Sequence, residues 1–192
     1  MRSMIRSLTA LATAAAAAAI SIPTAGAATI GGTFYAVQYD FQEFWTATDG
    51  KSFRVVLAGN PFPALPLDQS AASLLAVMQA AKPRPALTFT YAAPLEEPRP
   101  DYRLVLVSNA ANDLNGDSVC RGTTRLKPGR PGVVNLFAVY CRNDMAMSMT
   151  TATTPAATPA DPNVSKLFRE LFMVVFSDSP ALKPNAGGID RR

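Results

Sequence analysis

The sequence predicts an α+β fold, with a single mainly antiparallel sheet of about five to seven strands and two helices packed on one face. Several short segments are rich in β-branched, aromatic or other apolar residues. Two longer segments, far apart in the chain, have apolar residues at helical spacing. Because the strands cluster and do not alternate strictly with the helices, an α+β arrangement is favoured over a parallel α/β sheet.

The N-terminal part of the domain predicts three strands. Residues 33–41 place aromatic and β-branched side chains at alternate positions, which is typical of a half-buried strand. Residues 43–48 are a second candidate strand. Asp49-Gly50 suits a tight hairpin turn, because glycine adopts positive φ without steric cost. Residues 53–58 then form the third strand.

A helix is predicted over residues 68–82, with Asp68 as its N-cap and an apolar stripe at positions i, i+3, i+4 and i+7. A short strand follows at residues 87–91. Residues 102–107 are apolar at every position except one, which is typical of a strand covered on both faces. We therefore expect residues 102–107 to form a central strand.

The second half of the domain is predicted to contain two strands and a helix, joined by loops. A polar loop is predicted at residues 109–127, followed by strands at 133–141 and 145–150. Residues 150–162 are rich in Thr, Ala and Pro and are expected to form an extended loop. The last helix, 162–176, begins with proline after the candidate cap Asp161.

The chain contains one weak internal repeat. Residues 53–60 resemble residues 102–109, and both segments end in a small residue followed by asparagine. Buried strands often have similar sequences, so we interpret the likeness as a shared strand composition and not as a duplicated unit.

Residues 1–27 are predicted to be a cleavable signal peptide. Arg2 and Arg6 precede an uncharged apolar stretch at residues 8–22, and Ala25-Gly26-Ala27 suits a signal peptidase. We expect one globular domain at residues 28–176, a flexible tail at 177–192, and a periplasmic or secreted location. No later segment is long and apolar enough to span a membrane, so none is expected after cleavage.

The composition restricts the chemistry. The chain has no histidine, which excludes a Ser-His-Asp triad, a Cys-His pair and a His-ligated zinc. The net charge of +4 comes from scattered residues, so no nucleic-acid partner is expected. Gly50-Lys51-Ser52 resembles the end of a phosphate-binding loop, but Trp45 stands where that motif requires its first glycine. Two acidic pairs, Asp40 with Glu43 and Glu96 with Glu97, are the remaining candidates for acid–base catalysis.

Two segments are weak candidates for metal binding. Asp113, Asn115 and Asp117 resemble the first ligands of an EF-hand or dockerin-type calcium loop, but the later ligand positions depart from that pattern. Met145, Met147 and Met149 alternate along a predicted strand, so their thioethers are expected on one face, where they would suit Cu(I). Packing of these methionines in the core is the favoured alternative, and no cofactor is expected.

The two cysteines, Cys120 and Cys141, are predicted to form a disulfide, since an exported protein reaches an oxidising compartment. Near the end of the last helix, Phe172, Met173 and Phe176 add more apolar surface than one stripe can bury. This helix end is therefore either wrapped by the sheet or an interface for a protein partner or for self-association.

These observations favour an exported, non-catalytic binding or interaction module over an enzyme. The first alternative is a periplasmic metal-binding protein that uses the Met-rich strand or the Asp113 loop. The second alternative is a hydrolase that works without histidine and uses paired carboxylates. The sequence does not indicate the ligand.

Overall fold

A computed structural model describes residues 27–95, 98 and 100–179. Most of the predicted signal peptide, most of the predicted tail, and the pair Glu96 and Glu97 lie outside these residues. The elements in chain order are β1 Thr29–Ile30, β2 Phe34–Tyr35, α1 Phe41–Thr48, β3 Ser52–Ala58, α2 Leu67–Ala81, β4 Thr88–Thr90, β5 Tyr102–Ser108, α3 Gly116–Cys120, β6 Val133–Arg142, β7 Met145–Pro155 and α4 Pro162–Val175.

The described strands form one mixed sheet with the order β1-β7-β6-β5-β3-β4, and β2 also pairs with β7. Strands β5, β6 and β7 are joined by antiparallel ladders, whereas β3 is parallel to both β4 and β5. The predicted α+β class with a mainly antiparallel sheet is confirmed. The predicted central position of β5 is also confirmed, because β5 lies between β6 and β3.

The sheet has a core on each face. Side chains alternate along β5, so Leu104 and Leu106 join the larger core, whereas Val105 and Val107 join the smaller one. The larger core also contains the buried residues of α1, α2 and α4, so both long helices pack on one face, as predicted. The smaller core lies beneath α3.

The predicted disulfide between Cys120 and Cys141 is present in the structure. It joins the end of α3 to β6, and both half-cystines are buried in the smaller core. The disulfide therefore holds the short helix, which lies within the predicted polar loop 109–127, against the sheet.

The N-terminal strand predictions are largely wrong. Only Phe34–Tyr35 within residues 33–41 forms a strand, and the side chain of Val37 is 88% exposed. Residues 43–48, predicted as a strand, lie in α1, because Asp40 caps the helix by accepting a hydrogen bond from the backbone N–H of Gln42 (2.9 Å). The cap at Asp40 and the burial of Phe44 favour the helix over the predicted strand.

Other boundaries also differ from the sequence prediction. The turn at Asp49-Gly50 connects a helix to β3 and is not a hairpin, although Gly50 does adopt a positive φ of 68°. Asp68 does not cap α2, since the helix begins one residue earlier, after Pro66, and has no side-chain cap. Ser177 was predicted to lie in the tail but is buried, and its carbonyl accepts a hydrogen bond from the hydroxyl of Tyr39 (2.8 Å).

The predicted loop at residues 150–162 is partly wrong, because β7 continues to Pro155. Its last residues pair with the start of β6, where Val133 is opposite Pro155. Ala152 and Thr154 are buried, so small side chains fit beneath the neighbouring elements. The backbone ladder of an antiparallel partner supports a strand that its own composition does not predict.

The last helix closely matches its prediction. Asp161 caps it by accepting a hydrogen bond from the backbone N–H of Asn163 (2.9 Å), and Pro162 occupies the first turn. The predicted stripe is buried along its whole length: Val164, Leu167, Phe168, Leu171 and Val175.

The internal repeat has a structural counterpart. Strands β3 and β5 are parallel neighbours, and their register matches the sequence likeness position by position. Arg54 is opposite Arg103, and Ala58 is opposite Val107. The similar residues therefore occupy equivalent positions on adjacent strands, which explains the likeness by a shared environment.

Candidate functional site

Half of one edge of β3 lacks a neighbouring strand. β4 pairs with Ser52, Phe53 and Arg54 and ends at Thr90. Beyond this point, Val55–Ala58 pairs with β5 on one side, and no described strand pairs with it on the other. This half-edge is where the sheet can accept another strand.

A cavity of about 530 Å³ lies along this half-edge, between β3 and α2. We call it the β3–α2 groove. Its volume falls in the range of about 300–1,000 Å³ that is typical of ligand pockets. Leu67, one of the mostly apolar lining residues, is 50% exposed. The groove is lined by Arg54, Val55, Val56, Leu57, Leu67, Asp68, Ala71, Ala72, Leu75 and Tyr91.

Two residues that line the groove carry buried donors without a partner. Among the residues that the structure describes, Nε–H of Arg54 has no acceptor, and the hydroxyl of Tyr91 neither donates nor accepts a hydrogen bond. Arg54 also forms none of the ion pairs found among the described residues. Burial raises the pKa of Tyr91 to about 12, so the phenol is protonated at neutral pH and can donate. Buried polar atoms without a partner are uncommon, so these two side chains are the distinctive polar groups of the groove lining.

The N-terminal half of α2 forms one wall of the groove. Leu67, Asp68, Ala71 and Leu75 come from one face of this helix. No side chain caps the helix, so backbone N–H groups of the first turn carry a partial positive charge at this end of the groove. Asp68 partly offsets that charge.

A second cavity, of about 400 Å³, lies at the carboxyl ends of β3 and β5 and includes Asn60 and Asn109. Asn60 uses both ends of its amide within its own loop, since it accepts from the N–H of Phe62 (3.0 Å) and donates to the carbonyl of Leu65 (2.8 Å). Asn60 therefore has a structural role, and the β3–α2 groove is the stronger candidate site.

The candidate calcium residues are directed to separate partners. Asp113 forms an exposed ion pair with Arg125 (2.8 Å). Asn115 accepts from the backbone N–H of Ser118 and caps α3, whereas Asp117 accepts from the backbone N–H of Ala146. Among the residues that the structure describes, no group of three His, Cys, Asp or Glu side chains is placed to hold a metal.

The prediction that the three methionines share one face is wrong. The register between β6 and β7 shifts by one residue at Met147, and this bulge reverses the alternation of the strand. Met147 is buried in the larger core, Met149 packs against the smaller core on the opposite face, and Met145 is partly exposed. The sulfurs of Met147 and Met149 are therefore separated by the sheet.

The carboxyl groups of Asp40 and Glu43 have separate structural partners. Asp40 caps α1, whereas Glu43 accepts a hydrogen bond from the hydroxyl of Tyr102 (2.5 Å) and forms an ion pair with Nη1 of Arg142 (2.9 Å). Burial and the hydrogen bond to Glu43 raise the pKa of Tyr102 to about 12, so its hydroxyl keeps its proton. This arrangement joins α1 to β5 and β6 and has the features of a structural ion pair.

The three candidate interface residues on α4 differ in burial. Phe172 and Phe176 are 1% and 3% exposed, because they pack within the aromatic part of the larger core. Met173 is 73% exposed. The sheet and its neighbouring elements therefore cover this helix end, and only Met173 remains as exposed apolar surface. Single exposed apolar residues are common on protein surfaces.

The groove residues were missed by the sequence analysis. Arg54 was placed within the third predicted strand and Tyr91 at the end of a short strand, and neither was given a functional role. The groove depends on where β4 stops pairing with β3, which no local pattern indicates. A lone arginine in an otherwise apolar strand was the only available signal.

The fold and this groove together define an α+β protein with a mixed seven-stranded sheet and an open half-edge beside a helix. No family model matches the chain, and no curated protein matches it. A solved structure of a PelC dodecamer from Paraburkholderia phytofirmans is similar, with a TM-score of 0.40 and 11% sequence identity over 78% of this chain and 96% of that chain. A likeness this weak assigns no function to the chain.

Proposed function

We propose that this chain is an exported, non-catalytic binding module and that the β3–α2 groove is its binding site. The proposal depends mainly on one observation: two buried donors, on Arg54 and Tyr91, lack partners in residues that line an apolar groove. A ligand with an apolar body and an acidic group would bury the exposed surface of the groove and supply a counter-charge for Arg54.

Export is supported by two features of the chain. The Cys120–Cys141 disulfide is typical of proteins in an oxidising compartment. The N-terminal segment has the charge and hydropathy of a secretory signal, and the described sheet begins at Thr29, two residues after the proposed cleavage position. None of the described helices is long and apolar enough to cross a membrane. We therefore propose a periplasmic or secreted location.

The first prediction tests the groove with a dye that is both apolar and anionic, anilinonaphthalene sulfonate. Ala72 is exposed on α2 and lines the groove, so Ala72→Trp should place an indole in the groove without disturbing the core. We expect the fluorescence titration to show dye binding to the wild-type chain and at least roughly tenfold weaker binding to Ala72→Trp, a loss of about 1.4 kcal/mol.

Ala76→Trp is the matched control, because Ala76 is exposed on the same helix but does not line the groove. This variant should bind the dye as the wild type does. Near-ultraviolet circular dichroism should be unchanged in both variants, since the dye also binds loosely packed states. Equal dye binding by the wild type and Ala72→Trp would remove the groove as the binding site.

A further inference from the structure

We propose that the β3–α2 groove binds an extended polypeptide segment of another protein, which pairs with the open half-edge of β3 and places a carboxylate against Arg54. This inference rests on the proposed binding function and names the class of partner.

The backbone of β3 along the open half-edge is the first feature that favours an extended polypeptide. In a parallel or antiparallel ladder, every second residue directs its N–H and C=O toward the same side. Along Val55–Ala58, half of these groups therefore face the groove, where no described strand pairs with them. An extended polypeptide presents donors and acceptors at the same spacing, and adding it as a strand is a known mode of peptide recognition.

The dimensions of the groove support a strand as its occupant. Four residues of β3 extend for about 13 Å at the usual rise of a strand. The lining positions of α2, from Leu67 to Leu75, extend for about 12 Å along the helix. A short strand laid along β3 would therefore match the length of the groove and lie beside the α2 residues that line it.

The place where β4 ends leaves room for this strand. Thr90 is the last residue of β4 to pair with β3, opposite Arg54. Tyr91 then packs against the larger core, and Ala92–Leu95 are exposed. An incoming segment would continue the row of hydrogen bonds from the point at which β4 stops.

Charge indicates which segment would fit. Arg54 lines the groove and forms no ion pair with any other residue that the structure describes. A carboxylate supplies the charge and the acceptor oxygens together. Pairing of β3 with β3 of a second copy would not supply a carboxylate, because Ser52–Ala58 contains no acidic residue. We therefore favour an acidic segment of a different protein over pairing between the β3 strands of two copies.

The test is the selection of peptides from a displayed random library on the immobilised mature chain, with counter-selection on the Ala72→Trp variant. Enriched peptides should contain β-branched residues at alternate positions and at least one Asp or Glu. Binding of the synthetic peptide should slow hydrogen exchange at the amides of Val55–Ala58, as measured by NMR.

Two modified peptides examine the separate parts of the proposal. N-methylation of alternate backbone nitrogens of the peptide should weaken binding at least roughly tenfold if the backbone pairs with β3. Replacing the acidic residue of the peptide by its amide should weaken binding to the wild type but not to Arg54→Gln, as in a double-mutant cycle.

The failures of the two proposals are distinguishable. If the dye binds in the groove but no peptide is enriched, or the enriched peptides tolerate N-methylation, strand addition is refuted and the binding module stands. If enriched peptides lack acidic residues, the role of Arg54 is refuted. If neither dye nor peptide binds, both proposals fail. If sedimentation shows a dimer of the wild type that Ala72→Trp abolishes, the occupant is a second copy, contrary to the inference.

Discussion

Replacing Phe172 by alanine should lower the free energy of unfolding by about 3–5 kcal/mol, as is usual for a large aromatic side chain removed from a core. Phe172 is buried between α4 and the sheet, and its ring lies 5.1 Å from that of Phe89 and 5.5 Å from that of Phe168. The substitution leaves a cavity and removes contacts to β4. Urea denaturation monitored by circular dichroism would measure the loss.

Met173 provides a matched control, because it is the next residue of the same helix but is mostly exposed. Met173→Ala should change the stability by no more than about 0.5 kcal/mol, as expected at an exposed position. If Phe172→Ala loses as little stability as is expected for Met173→Ala, Phe172 would not be a core residue. The sequence-based interface hypothesis for this helix end would then regain support.

Loss of the disulfide should have the second largest effect. The bridge closes a loop between residues separated by 21 positions, and the chain-entropy model gives a stabilisation of roughly 3 kcal/mol for a loop of this length. The double substitution Cys120→Ala with Cys141→Ala should therefore lower the free energy of unfolding by about this amount. The contacts of the smaller core under α3 should be affected most, since both half-cystines lie there.

A reducing agent distinguishes loss of the bridge from a packing defect caused by the substitutions. Dithiothreitol should destabilise the wild-type chain nearly as much as the double substitution does, and it should not affect the variant. If reduction of the wild type leaves the urea midpoint unchanged although two free thiols are titrated, the bridge contributes little to stability. In that case the smaller core would be held mainly by its apolar contacts.

Some elements follow from local sequence alone. α4 has a capping aspartate, a proline in its first turn and a long apolar stripe, and each of these acts within a few residues of the chain. β5 and β6 are long, strongly apolar and β-branched, so their assignment also depends on local composition. The pairing of Cys120 with Cys141 required no structural information because the chain contains only two cysteines.

Other elements depend on contacts that the local pattern does not contain. Residues 43–48 were predicted as a strand, but the cap at Asp40 and the burial of Phe44 against Phe176 select a helix. β7 extends to Pro155 because β6 offers a paired backbone. The bulge at Met147 places neighbouring methionines in different cores, and the alternation in the sequence could not indicate it.

Composition and short-range spacing were sufficient to predict the α+β class, the two long helices, the central strand, the disulfide and the absence of histidine chemistry. The position of the candidate site depends on the folded arrangement of the strands. The β3–α2 groove exists because β4 stops pairing at Arg54 while β3 continues to Ala58. Strand register is set by contacts between residues far apart in the chain, so a groove that depends on register becomes visible only in the folded protein.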